Sequence, residues 1–416
     1  MSERRDIPGL WWLPSNSERK WTGKLRLSPK KAPRLSFIVP EGLHGNLPVI
    51  PELLHGYDEH GKPITLLHTH CNSQSMSGAM AKFKCSAGYA LLGIHIATPE
   101  EFRATSLSLR IQHLFDWVNH SGFKRDERVQ HEARIHHVLP EVLTFDVNSD
   151  LKLTIISSSR SSSAHKLQKV SEDTAIKFES RRGLSIPECR DLVDAVRHLL
   201  HFSILREIFP ISLTCVVSKD GPNLDADSFA VEFVSGNNRE EAESEAHCGR
   251  WIFQFADVQS DFGNVFQKWL SFLKQFDEAI GSYFATVYNA LPDTVEHLCL
   301  TQALEAYHGI KNQSLNHQDF VGKIQQLTEA HRATFPNVFP AAAEFAAIVR
   351  DNRNYYTHHN PKWLKDGRVV SRGDLYRLNV KLRILIQACI LAELGIPPDC
   401  ISKLSRQLNF HLIEYA

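Results

Sequence analysis

The sequence predicts an α+β protein: a β-rich N-terminal domain followed by an all-α helical bundle. Two patterns carry that expectation. To roughly Ser180, apolar and polar residues alternate in short runs broken by Gly, Pro and Asn, the period of strands with one packed and one wet face. From Asp261 onward the apolar residues recur at helical spacing instead. At 416 residues the chain is too long for one ordinary core, so we divide it into 1–260 and 261–416.

Within the first part, Gly23–Ser28, Arg34–Val39, Pro63–His70 and Leu151–Ile156 read as antiparallel strands. Trp11, Trp12 and Trp21 lie near the first of these. Large aromatics dominate burial in β domains, so core or edge packing is their simplest use and ligand stacking the alternative. A helix follows. Ser185 stands at its N-cap, Pro187 just inside and Glu188 at the third helical position, and apolar residues recur from Leu192 to Ile204. Two further strands, Ile211–Val217 and Phe229–Val234, precede a polar, acidic run from Asn237 to Glu245 that reads as a surface loop.

The bundle opens with Phe266, Trp269, Leu270, Phe272, Leu273, Phe276 and Ile280, spaced for one buried helix face. Helices over Thr294–Ile310, Phe320–Arg332, Ala341–His358 and Gly373–Leu394 complete four or five in all. No internal repeat or low-complexity tract interrupts them.

Composition narrows the function. Basic and acidic residues balance at 47 each, so any grip on nucleic acid must come from a local patch. The eight cysteines form no CxxC pair, which suits free thiols in a reducing cytoplasm. The charged start, Met-Ser-Glu-Arg-Arg-Asp, lacks the apolar core of a signal peptide. The greasiest stretch, Ile384–Ala392, is about half of what a membrane span needs. A cytoplasmic protein is expected, with no membrane partner.

The segment Arg350-Asp-Asn-Arg353-Asn354-Tyr-Tyr-Thr-His358-His359 concentrates the chemistry. A guanidinium clamps phosphate through planar, fixed hydrogen bonds, and an imidazole moves protons near neutral pH. Together they suffice for metal-free RNA cleavage with the 2′-hydroxyl as nucleophile. From the residue frequencies, Arg-x4-His alone is expected about 1.4 times by chance, and roughly 0.06 times once Asn must follow the Arg. Residues five apart on a regular helix differ by about 140° in direction, so Arg350, Asn354 and His358 share a face that Arg353 leaves. Either the helix begins or bends within the motif, or the cleft is wide and a second protomer completes it. The bland alternative is that Arg and His merely serve the C-terminal dipole and carbonyls of this helix.

Gly9-Leu-Trp11-Trp12-Leu13-Pro14, with the short-strand domain opening at Gly23, resembles the N-terminal domain of ApeA-type anti-phage defence proteins. The helical end carrying Arg353-Asn354-x-x-x-His358 resembles the HEPN domain of the same family. The resemblance spans almost the whole chain. It implies a sensing or regulatory N-terminal domain and a dimerising HEPN ribonuclease bundle, released by an unknown phage-derived trigger. It also implies Arg353 and His358 as the catalytic pair, with Asn354 as polar companion. Arg350 and His359 are auxiliary candidates for phosphate contact and base, and Glu305, on an early bundle helix, is a candidate to orient the motif or else a solvated carboxylate. No metal or cofactor is expected. Products would carry 2′,3′-cyclic phosphates and 5′-hydroxyls, and tRNA loops or mRNA would be the substrate.

Tyr355 and Tyr356 suit helix packing or base stacking. His68, His70, Cys71 and Cys85 include zinc-type ligands at a spacing that fits no standard site. His198 and His201 read as packed or solvent-facing. Two other functional classes stay open: a non-catalytic HEPN scaffold that binds RNA or protein, and a carbohydrate or peptide binder led by the tryptophans.

Overall fold

The computed structural model describes residues 4–28, 31–40, 52–77, 80–125, 135–164, 167–218, 228–235, 251–313, 319–359 and 361–410. The expected loop at Asn237–Glu245 lies outside them. Two compact units emerge. One comprises Met1–His198 and Ile208–Ala246, the other Leu199–Glu207 and His247–Ala416.

The first unit is built on one antiparallel twelve-stranded sheet. Six strands curl into a barrel: β1 (Arg5–Leu13), β2 (Asn16–Ser28), β3 (Lys31–Pro40), β4 (Leu53–Asp58), β5 (Pro63–Ser77) and β6 (Met80–Leu92). Closure falls to β6, which pairs with β3 over Met80–Ser86 and with β5 along most of its length. Alternation puts Trp11, Trp21, Leu25, Phe37, Leu54 and Phe83 inside. Trp11 is fully buried, and two glycines make room for it. A Cβ on Gly56 would meet its ring at 2.5 Å, and one on Gly23 would lie 2.9 Å from it. Gly9 pairs with Gly23 across β1 and β2.

The sheet continues through β7 (Ala104–Ile111) to β14. Between them lie a short helix α1 (Leu114–Val118), a small hairpin β8 (Phe123–Arg125) and β9 (Ile135–His137), and then β10 (Leu143–Asp146), β11 (Leu151–Ala164) and β12 (Leu167–Leu184). The last elements are α2 (Ile186–Ile204), whose residues from Leu199 onward belong to the second unit, β13 (Pro210–Ser218) and β14 (Ser228–Ser235). The α2 N-terminus carries the expected reciprocal cap. Glu188 Oε2 accepts from Ser185 N at 2.9 Å, and Glu188 N donates to Ser185 Oγ at 3.4 Å. The short α1 was not visible in the sequence pattern, because five residues offer too little periodicity.

The second unit is helical: α3 (Phe262–Gln275), α4 (Asp277–Tyr288), α5 (Asp293–Lys311), α6 (Phe320–Arg332), α7 (Ala342–His358), α8 (Pro361–Lys365), α9 (Arg372–Glu393), α10 (Pro398–Ser402) and α11 (Gln407–Phe410). The single helix expected over Phe266–Ile280 is two, broken at Phe276. Its apolar stripe survives the break because Phe272 and Phe276 stay buried and stack at 4.3 Å. The expected four or five helices are therefore six long ones with short additions among the described residues. The chain's most apolar run, Ile384–Leu391, is buried in α9. Among the described residues no helix is long and apolar enough to cross a membrane.

Candidate functional site

The motif rides on α7. Ala342, Phe345, Ala346, Val349, Asp351 and Asn352 are its buried residues, and the steps from Ala342 to Phe345, Ala346 to Val349 and Val349 to Asn352 keep the helical period. Arg353 follows Val349 by four and continues that stripe to the edge of the core. Its Nη2 donates to Glu305 Oε2 on α5 at 2.8 Å. Lys323 Nζ on α6 stands 3.9 Å from the other Glu305 oxygen, and the Phe320 ring lies 4.5 Å from the Arg353 guanidinium carbon. Three helices thus fix one guanidinium by charge on one side and by a ring face on another. It remains 34% exposed, open enough to reach a ligand.

Helix α7 is continuous through the motif, so the expected alternative of a start or bend within it is corrected. The helix ends only at His358, where His359 takes a left-handed conformation with φ 48° and donates its N–H to Tyr355 O at 2.7 Å. A continuous helix turns Arg350, Asn354 and His358 along one face and Arg353 along another. His358 and His359 are exposed, and Asn354 is half-buried. Of the six residues singled out, the structure joins Arg353 to Glu305. It does not bond Arg353 to His358.

Arg350 belongs to a second cluster. Its Nε donates to Asp351 Oδ1 at 2.7 Å, while Arg368 donates two bonds to the same carboxylate, each at 2.9 Å. Burial alone would raise the Asp351 carboxyl. The bonds from Arg350 and Arg368 outweigh it and hold Asp351 below the ordinary carboxylate range. The fully buried Asn352 accepts from Val370 N at 3.1 Å through Oδ1 and donates to Ile348 O at 2.9 Å. Behind Tyr356 sits His297 on α5, fully buried, with Nδ1 2.9 Å from Asn379 Oδ1. Burial pushes its imidazole below the usual value.

Sequence reasoning missed Lys323, Phe320, Asp351, Asn352, Arg368 and His297. One signal was present. Asn352 stands three residues after Val349 and seven after Phe345, so the helical period alone places a polar side chain on a buried stripe. Arg368 had no such signal, because its role depends on how the chain returns from α8.

The other constellations divide between surface and core. His68 and His70 are both exposed on one side of β5, with Thr69 buried between them. Cys71 and Cys85 face each other across β5 and β6. Among the described residues no three His, Cys, Asp or Glu side chains gather to hold a metal ion. His201 is buried against Tyr283 Oη at 2.8 Å. Trp11, Trp12 and Trp21 are 0%, 5% and 3% exposed, which places all three in packing and leaves none as a surface stacking platform.

Against known families, a model for ApeA N-terminal domain 1 matches residues 6–269, more than half the chain. A model described as Apea-like HEPN matches residues 298–400, which run from within α5 through α9 and include the whole Arg350–His359 segment. Neither a curated protein nor a solved structure matches the chain.

Proposed function

The chain belongs to the ApeA family and ends in an ApeA-like HEPN domain, and from that premise we propose that this defence-associated effector is a metal-independent endoribonuclease. The observation that carries the reading is the Arg353–Glu305 pair on a helix that delivers His358 to solvent one turn later. HEPN domains are generally ribonucleases, and the residues suit that chemistry. The 2′-oxygen bonds to phosphorus as the bond to the 5′-oxygen breaks. His358 takes the 2′-hydroxyl proton or supplies one to the departing oxygen. Arg353 neutralises the phosphorane, with Glu305 and Phe320 fixing its plane. A guanidinium has five donor hydrogens, and the Glu305 bond engages only Nη2.

Since a continuous α7 divides Arg353 from His358, the proposal includes a two-fold homodimer in which two motifs line one groove. Asn354 and Arg350 would then reach the strand from the shared face with His358, and His359 would be the reserve base. The β-barrel unit restrains or senses, since a nuclease always active in the cytoplasm would poison its own cell. A phage-derived trigger would release it, and tRNA is the favoured substrate.

A second reading has its own observation. Both arginines are ion-paired, Arg353 to Glu305 and Arg350 to Asp351, as in a non-catalytic scaffold. Cells expressing wild type, Arg353→Ala or His358→Ala at matched soluble levels, challenged with phage, separate the two. Protection and new RNA fragments lost in both variants support the nuclease. Protection that persists in both, with RNA intact, supports the scaffold.

A further inference from the structure

The helical unit contains an open cavity of about 1020 Å³ that the Arg353–His358 chemistry leaves unused. Arg372, Tyr376, Arg377 and Lys381 from the start of α9 line it, facing Asp293 on α5 and Leu408 on α11. Its size lies at the top of the ~300–1,000 Å³ range of ligand cavities. Arg372 and Tyr376 are four apart, as are Arg377 and Lys381, so cations and a ring share the exposed flank of one helix.

The charges inside are not all matched. Asp374 accepts from Ser371 Oγ at 2.7 Å, donates its N–H to the same oxygen at 3.2 Å, and stands 3.7 Å from Arg377. That carboxylate is occupied by the helix cap and by Arg377. Among the described residues Arg372 and Lys381 form no ion pair. In a chain with no net charge, three cations against the two carboxylates Asp293 and Asp374, beside an aromatic ring in a cavity, make a local basic excess of the kind a polyanion requires.

The cavity is also strapped to the motif helix. Val370 N is held by Asn352, and Arg368 by Asp351, immediately before the wall begins at Ser371. Tyr356, one turn beyond Asn352 on α7, lies within electrostatic reach of Asp293 and Arg372. A strand cut at the motif would find this cavity beside it.

We propose that the cavity is a second nucleic-acid site that holds single-stranded RNA flanking the cut, with Arg372 and Lys381 on phosphates and Tyr376 stacked on an unpaired base. The proposal rests on the ribonuclease reading for its ligand, and base stacking on one ring is the usual means of holding unpaired strands.

The test uses full-length His358→Ala protein, which leaves RNA intact, and a labelled single-stranded oligoribonucleotide titrated at several salt concentrations. Adding Arg372→Gln and Lys381→Gln should weaken binding roughly tenfold and lower the salt slope by about 1.4, since each lost phosphate contact removes about 0.7 for a single strand. Arg372→Lys should keep the slope, and Lys274→Gln on α3 should change nothing. Unchanged affinity and slope in a double variant that melts like its parent would overturn the proposal. So would a loss of dimer mass with RNA affinity intact, which would make the cavity a face between copies. If the double variant does not fold, Arg372→Gln alone decides, with an expected slope change of about 0.7. Wild type that never cuts RNA, alongside a slope that still falls, would sink the ribonuclease reading and leave the cavity standing.

Discussion

Trp11 in the barrel and Arg353 in the bundle are each large side chains in segments that stand out in the sequence, yet they do opposite work. Trp11 is fully buried among Phe37, Phe83 and glycines that admit its ring. Arg353 stays 34% exposed, held by one carboxylate and one ring. The first site is filled and has nowhere to put a ligand. The second is fixed on one side and open on the other, which is how a catalytic group is pre-organised. Conspicuous residues therefore divide by whether the fold leaves them an open side.

Breaking the bundle site should abolish activity and spare stability. His358→Ala is expected to lower RNA cleavage on the order of 10²–10⁴-fold, with the melting temperature unmoved, read by gel and calorimetry. A melting shift as large as the activity loss would make His358 structural. Breaking the barrel site should do the reverse. Trp11→Ala should cost about 3–5 kcal/mol in denaturant unfolding of the first unit. If it folds normally and only ligand binding changes, the packing account fails.

The comparison sharpens at Glu305. Glu305→Gln should change stability by less than about 1 kcal/mol, because the pair is one-third exposed on both sides. Cleavage should fall up to roughly 10²-fold through loss of the Arg353 position. Equal activity in this variant would reduce Glu305 to a surface partner. The smallest effect concerns His297. Its depressed folded pKa means the unfolded chain binds more protons below about 6.5, so stability should fall as pH drops through that value. His297→Gln should flatten the slope of urea midpoint against pH between about 7 and 5. An unaltered slope would assign the effect to other buried histidines.

The outline of this division is legible in the sequence alone. Alternation marked six strand segments between Gly23 and Val234 but not β4, β6, β7 or β12, and Phe320–Arg332 matched its helix end to end, because its apolar stripe and its Asp319 cap are both local signals. The break at Phe276 was hidden, since the stripe runs unaltered across it. Barrel closure was hidden too, because β3 meets β6, and β1 meets β4, through pairings far apart in sequence. At the site, Arg353 and Glu305 were each legible as residues. Their contact was not, because it joins side chains 48 positions apart through helix packing.

The most direct measurement uses purified wild-type protein, single-stranded RNA and a metal chelator, with the chemistry of the product ends read by mass spectrometry. The account predicts cleavage that survives the chelator, yields 2′,3′-cyclic phosphates and 5′-hydroxyls, and disappears in Arg353→Ala and His358→Ala. Ends bearing 3′-hydroxyls and 5′-phosphates, or equal cleavage by both variants, would contradict it.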